Sequence, residues 1–298
     1  DLLDQTLFYP EGGGQPADTG TLVSTESMVH VDSVVKVGEV VLHHVTGGML
    51  GRGDRVKGMV DEERRWSLMR HHTATHVLLH ATKEVLGAHI HQAGAQKGSE
   101  SSRVDIRHFK HITADELHRI EVAANRMIMA NQSVDISIED RTHAEQKYGF
   151  SLYQGGVPPG RDIRVVRVAG DIEACAGTHC RSTGEVGVIK VIRVEHIQDG
   201  IERIEFSAGI AAIYYMQHLE QIVTTSSDIV SVQPENLPAT VTRFFTEWKD
   251  QKKEVERMSA KLVELEMRSM VAESIGGVSV VIRRIDLPQK ELSALAQS

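Results

Sequence analysis

The sequence has few cysteines, few aromatic residues and no long apolar run. Two cysteines in 298 residues exclude a fold held together by a disulfide network, and they are typical of a reducing compartment, so we expect a cytoplasmic protein. No stretch approaches the roughly 20 apolar residues that cross a bilayer, and the opening DLLDQTLFYPEGG is no signal peptide, so we expect no membrane association. The net charge of −8 argues against a protein that coats nucleic acid non-specifically, although a local basic patch would suffice to hold phosphates.

The hydrophobic pattern changes along the chain and predicts an α+β fold in several parts. Residues 1–60 are rich in glycine and alternate between apolar and polar, which predicts a small β-barrel-like subdomain. Residues 61–215 combine helical periodicity with strands that end in a hairpin at Asp199–Gly200, which predicts an antiparallel sheet with helices. Residues 216–275 predict a helical linker or arm, and residues 276–298 predict the beginning of a truncated C-terminal α/β domain.

The helical arm has an apolar residue every three or four positions from Pro238 to about Ser274. This heptad-like pattern fits a linker helix that packs on a neighbouring element, and it also fits a coiled-coil arm that joins two copies of the chain. A homodimer through the C-terminal region is therefore one of our expectations. The first residue is Asp rather than Met, from which we expect a fragment or a processed product.

Two short motifs carry candidate metal ligands. HHTATH places His72 and His76 four residues apart in a predicted helix, so that both side chains lie on one face. CAGTHC places Cys175 and His179 at the same spacing in a predicted turn. Together they form a set of one thiolate and three imidazoles, which suits one zinc ion. The HExxH pattern of metallopeptidases is not met, because Thr73 stands where the catalytic Glu would be.

Other interpretations of these histidines remain open. An HxxxH pair alone is more often a surface or core feature than a ligand pair. Four further histidines are alternative ligands, namely His71, His80, His89 and His91. Cys180 is expected to be a small buried residue rather than a ligand. Four protein ligands fill a tetrahedron, as in structural zinc sites. To activate water, the ion would have to lose one of these ligands or take a fifth. Otherwise it would only shape the pocket and hold one end of the substrate.

The order of five motifs resembles the editing domain of alanyl-tRNA synthetase, in its archaeal form. The motifs are GGGQPADTG, HHTATHVLLHA, QAGAQKG, EACAGTHC and IERIEFSAG, and they cover about residues 1–215. Freestanding alanyl-tRNA editing proteins and the second N-terminal domain of threonyl-tRNA synthetase are similar. The remaining residues resemble the linker and the start of the C-terminal domain that follow editing in the synthetase.

The resemblance implies hydrolysis of the ester that joins serine or glycine to the tRNA specific for alanine, tRNA(Ala). It assigns zinc to His72, His76, Cys175 and His179. ATP and alanine would be used only by an activation segment that is not visible in this sequence. Three candidates for a catalytic role follow, namely Gln15, Thr75 and Gln96, of which Gln96 could equally stabilise a turn. Candidates for contact with substrate or tRNA are Gly12, Gly13, Gly14, Gln15, Lys97 and Arg181.

Editing of this kind has a physical reason. A pocket that accepts alanine cannot strongly exclude glycine, which is smaller, or serine, which adds only a hydroxyl, so a second hydrolytic site is needed. Two other functions remain open: a freestanding editing protein with a C-terminal extension, and a tRNA-binding and dimerising module whose zinc is structural. An unrelated metallohydrolase is disfavoured by Thr73.

Overall fold

The first sheet is built from the alternating segments near the N-terminus. In the computed structural model, which describes residues 1–269 and 272–281, four antiparallel strands lie in the order β3-β2-β1-β4. The inward side chains of the long second strand pack with Phe8 and Leu22 in a small core. The sheet stays open at β3 and β4, so the barrel-like description holds only loosely. The strands are β1 (Gly20–Val23), β2 (Met28–Val37), β3 (Val40–Thr46) and β4 (Lys57–Val60).

Helix α1 (Glu62–Leu86) runs through the centre of the main core. The Asp61 side chain caps it by accepting a hydrogen bond from the N–H of Arg64. From Leu68 to Thr82 nearly every side chain is buried, so α1 has no clear polar face. A helix surrounded on all sides in this way can place polar residues in the protein interior, provided that each finds a partner.

Helix α2 (Ala114–Met129) packs beside α1 and begins with a capping box, a pattern that Thr113 and Glu116 at a spacing of three residues favour. Thr113 accepts from the N–H of Glu116, and Glu116 accepts from the N–H of Thr113. Both helices cover a four-stranded antiparallel sheet of order β10-β11-β6-β5, and the predicted hairpin at Asp199–Gly200 joins two of its strands. The strands are β5 (His91–Gln96), β6 (Ser102–Arg107), β10 (Ile189–Gln198) and β11 (Ile201–Ala208).

A third antiparallel sheet, of order β7-β8-β9, carries the segment before CAGTHC. The sheet brings the end of β9 to the side of α1, where their contacts are close. A short helix, α3, follows β7 and packs on this sheet. The elements are β7 (Asp135–Asp140), α3 (Arg141–Tyr148), β8 (Asp162–Val168) and β9 (Asp171–Ala174). The predicted α+β class, with several antiparallel sheets and helices, is thus confirmed.

The chain divides into two units, Asp1–Leu219 and Glu220–Ser298. Helix α4 (Ile210–Ile229) begins before residue 216, where we predicted that the helical segment starts. Helix α5 (Leu237–Ser269) is the predicted long helix. It is shorter than expected, because the turn at Gly276–Gly277 pairs the residues on either side as strands β12 (Glu273–Ile275) and β13 (Val278–Val280). Most of the predicted C-terminal α/β domain, residues 282–298, lies outside the described residues.

Within the part of the chain that the structure describes, no helix is both long and apolar enough to cross a membrane.

Candidate metal centre

Four side chains from distant parts of the sequence converge beside α1. His72 and His76 project from consecutive turns of the helix, and Cys175 and His179 come from the irregular loop after β9. One donor atom from each of the four lies within 4.8 Å of the others. The Cys175 Sγ is 3.3 Å from the Nε2 of His72 and 3.3 Å from the Nε2 of His179. The two predicted motifs therefore form one cluster.

Each of the three imidazoles has a hydrogen-bond acceptor at Nδ1, on the side away from the cluster. His72 donates to Gln15 Oε1 at 2.7 Å, and His76 donates to Asp171 Oδ2 at 2.9 Å. His179 Nδ1 lies 3.3 Å from Thr73 Oγ1. The bonds to the Gln15 and Asp171 oxygens select the tautomer whose Nε2 carries a free lone pair, which is the usual arrangement around a bound metal ion. The residues therefore fit a metal in their chemistry as well as in their spacing.

The ionisation of three of the four side chains, Cys175, His72 and His179, matches the needs of a cation. Burial raises the pKa of the Cys175 thiol, but His72 and His179 outweigh burial and hold that pKa well below its usual value. Burial lowers the pKa of His72 strongly and that of His179 to about 4. A thiolate with neutral imidazoles is the protonation state in which these groups bind a metal.

Two acidic residues stand behind His76. Burial opposes a charge on His76, yet Glu173 and Asp171 raise its pKa well above the usual value. Lys83 Nζ donates to Asp171 Oδ1 at 3.0 Å, whereas Glu173 Oε1 is buried and has no hydrogen-bond partner among the described residues. Burial raises the pKa of Glu173 to about 8. Burial opposes a charge on Asp171, yet His76 and Lys83 hold its pKa at about 2, so Asp171 keeps its negative charge. Glu173 is instead mostly protonated near neutral pH. A divalent cation nearby would favour the ionised form of Glu173.

The glycine-rich loop of the first sheet lies against the same cluster through Gln15. Its amide is fully buried: Oε1 accepts from the N–H of Thr178 at 3.1 Å, and Nε2 donates to Thr178 Oγ1 at 2.8 Å. The loop packs so tightly that a Cβ at Gly14 would overlap the carbonyl of Ala95. Lys97 is buried and donates from Nζ to the carbonyl of Gly13 at 3.0 Å. It holds the loop in place.

Three other predicted site residues are exposed or have hydrogen-bond partners outside the four ligand candidates. Thr75 is buried, but its hydroxyl donates to the carbonyl of His71 within α1. Gln96 is exposed on β5 beside the glycine loop, and its Oε1 accepts from Arg103 Nε at 3.2 Å. Arg181 follows the CAGTHC loop and is exposed.

The alternative ligands do not enter the cluster. The Nδ1 of His71 lies 2.9 Å from the carbonyl of Ser67, and its Nε2 accepts from the N–H of Ala208, so its ring joins α1 to β11. His80, His89 and His91 are outside the group of converging donor atoms. Cys180 is 1% exposed, which confirms the prediction that it is a small buried residue.

Sequence reasoning missed the outer partners of the histidines. Asp171 and Thr73 were not recognised, and Glu173 had no assigned role. A signal was present for the acidic pair, because two carboxylates at alternate positions of a short strand just before CAGTHC point to the same face. No local signal in the sequence pairs Gln15 with His72.

Two family models match parts of this chain. The family model for the threonyl and alanyl tRNA synthetase second additional domain matches residues 163–205, which include β9 and CAGTHC. A model for class II (A) tRNA synthetases matches residues 2–64, which include the first sheet.

Several curated proteins match this chain over nearly all of its length. The alanine–tRNA ligase of Methanoregula boonei is 74% identical over 297 residues, 100% of this chain and 32% of that protein. That of Methanoculleus marisnigri is 69% identical over 295 residues, 99% of this chain and 32% of that protein. That of Archaeoglobus fulgidus is 46% identical over 298 residues, 99% of this chain and 33% of that protein. The chain spans about a third of the length of these curated relatives, and over that third it belongs to the alanine–tRNA ligase family.

Proposed function

We propose that this chain is the editing part of an alanine–tRNA ligase and hydrolyses the ester of tRNA(Ala) mischarged with serine or glycine. The observation that carries the proposal is the convergence of His72, His76, Cys175 and His179, with every Nδ1 already bonded on the outer side. The matches to the synthetase second additional domain and to alanine–tRNA ligases support the choice of substrate. In the whole enzyme, ATP and alanine would be used outside this chain, in the cytoplasm.

We assign one zinc ion to the four ligands, because a thiolate with three imidazoles is a donor set that zinc prefers. When bound, zinc supplies a Lewis acid that can polarise a carbonyl or water. Gln15, Asp171 and Thr73 orient the three imidazoles. Cys175 is the only one of the four ligand candidates that is partly exposed, so we place the substrate's approach on its side.

Several residues have roles in recognising the substrate under this proposal. The backbone of Gly12–Gly14 offers a surface without side chains, against which the terminal adenosine can lie. Gln96, at the edge of that loop, would exchange its bond to Arg103 for one to the serine hydroxyl. An alanine ester lacks that hydroxyl and offers Gln96 no new bond, so it gains less from binding than a serine ester does. Arg181 is exposed and available for phosphates, whereas Lys97 acts by holding the loop.

A second function is favoured by one feature of the cluster. Four protein ligands around one ion form the closed arrangement of structural zinc sites. On that basis the chain would be a tRNA-binding and dimerising module. Two copies of the chain would pair through apolar side chains that are exposed on α5, such as Phe244, Trp248 and Val255. The same exposed side chains support a homodimer under the first proposal as well.

The test measures release of serine and of alanine from tRNA(Ala), with zinc content determined on the same samples. We expect serine to be released faster than alanine by the intact chain. Cys175→Ala should lose zinc and slow serine release by about 100-fold. The matched control Cys180→Ala, which removes the buried cysteine outside the cluster, should keep both zinc and activity.

A third variant tests the role of Gln96, and the activity of the parent chain separates the two functions. Gln96→Ala changes an exposed side chain, so it should keep its fold and its zinc while serine release slows. Normal serine release by Gln96→Ala would show that Gln96 does not contribute to the site. No hydrolysis by the folded, zinc-loaded parent chain would support the structural module instead.

A further inference from the structure

A second cluster of potential metal ligands is formed by the four-stranded sheet and the loop after β6, and it shares no residue with the first. It consists of His111, His196 and Glu202, whose donor atoms lie within 4.8 Å of one another. Glu202 Oε1 is 3.2 Å from the Nδ1 of His111 and 2.8 Å from the Nδ1 of His196. The two imidazole rings meet edge to face, with centroids 4.6 Å apart. Both rings thus turn the same nitrogen toward one carboxylate oxygen.

The three side chains stand on a rigid framework. His196 and Glu202 are cross-strand partners in the β10–β11 hairpin, and Glu202 also pairs with Ile106 of β6 on its other side. His111 belongs to the loop between β6 and α2. That loop is anchored at one end by a hydrogen bond from the N–H of His108 to the carbonyl of Gly200, and at the other by the capping box of α2. Little reorganisation is needed to bring the three donors together.

The carboxylate of the cluster is buried, whereas its two imidazoles are exposed, and this arrangement suits a bound cation. The Glu202 side chain is 3% exposed, while those of His111 and His196 are 74% and 41% exposed. A buried carboxylate is costly without a cationic or hydrogen-bonded partner. An ion held by this set would rest on the buried carboxylate and keep positions open toward solvent.

We propose that His111, His196 and Glu202 bind a divalent transition-metal ion of the Zn²⁺ or Co²⁺ type, as a second metal site. Two imidazoles and one carboxylate form a donor set that first-row transition metals prefer over Mg²⁺ or Ca²⁺. On binding, each imidazole moves its proton from Nδ1 to Nε2, so that Nδ1 can coordinate. The solvent-facing positions would be filled by water or by an oxygen donor of a ligand.

Metal titration of the intact chain tests the proposal. The protein is first loaded with one equivalent of Zn²⁺ and then titrated with Co²⁺, with binding followed by calorimetry and by the visible ligand-field bands of Co²⁺. We expect one further equivalent to bind. His111→Gln and His196→Gln should each weaken that second event by about tenfold or more. His118→Gln, which changes an exposed histidine on α2 outside the cluster, should leave it unchanged.

The exposed position of His111 makes its variant informative, because the substitution should not disturb folding; the thermal melting curve checks this. Glu202→Gln tests the carboxylate in the same titration. The proposal is overturned if the zinc-loaded chain binds no second equivalent. It is also overturned if His111→Gln binds Co²⁺ as tightly as His118→Gln does.

Discussion

At the residue scale, Gln15 connects the glycine-rich loop to the metal cluster. Its Oε1 accepts from the Nδ1 of His72 and from the N–H of Thr178, one residue before His179. We expect Gln15→Ala to reduce zinc affinity by about 10- to 100-fold, because an outer partner sets the tautomer and orientation of its ligand. Competition with a fluorescent zinc chelator measures the change.

The control for this prediction is Gln5→Ala, which removes the same side chain from an exposed position. Its zinc affinity should equal that of the parent chain. Unchanged zinc affinity in folded Gln15→Ala would show that the bond to His72 is incidental.

At the scale of elements, the CAGTHC loop packs against α1 through Gly177. A Cβ at this position would overlap the imidazole of His72 and lie 3.0 Å from Gln15 Oε1. We therefore expect Gly177→Ala to push the loop away from α1. Such overpacking of a buried contact costs about 1–3 kcal/mol of stability, and it should weaken zinc binding at the same time. Thermal unfolding and zinc titration measure the two effects.

Gly155→Ala is the matched control, because its added Cβ would meet only Gln92 Nε2, at 3.8 Å. That variant should unfold and bind zinc as the parent chain does. Gly177→Ala with normal stability and normal zinc affinity would contradict the proposed fit between loop and helix.

At the scale of the whole molecule, the ion would join segments about a hundred residues apart, since His76 and Cys175 lie on α1 and after β9. Both segments belong to the unit Asp1–Leu219. A ligand that binds only the folded state adds about 2.7 kcal/mol at one hundred times its Kd. Chelation of zinc should therefore lower the Tm of this unit by roughly 5–10 °C.

Hydrogen exchange followed by peptide mass spectrometry shows which segments of the chain lose stability when zinc is removed. Peptides from α1 and residues 171–180 should lose protection on chelation, while peptides from α5 should not. His179→Ala, which already lacks a ligand, should show little further change when chelator is added. Equal protection of α1 with and without chelator would argue against a bound structural or catalytic ion.

Local patterns in the sequence were sufficient for much of the fold. The Thr113–Glu116 capping box and the turn at Asp199–Gly200 involve residues a few positions apart, so short-range hydrogen bonds and backbone preferences specify them. The end of α5 was placed too late, because helical periodicity alone does not show where strand pairing around Gly276–Gly277 takes over. The donor types of the first cluster could also be predicted, since i and i+4 spacing on α1 depends only on helix geometry.

The sequence by itself determined the α+β class, the two ligand motifs and the resemblance to a family, because these depend on residue type and short spacing. Only the tertiary structure decided that Gln15, Asp171 and Thr73 orient the histidines. It also decided that Gln96 pairs with Arg103, and that Glu202 gathers two further imidazoles. Most of those pairings join residues far apart in the chain. They exist because sheet register and helix packing bring the side chains together in a buried space, where each polar group must find a partner.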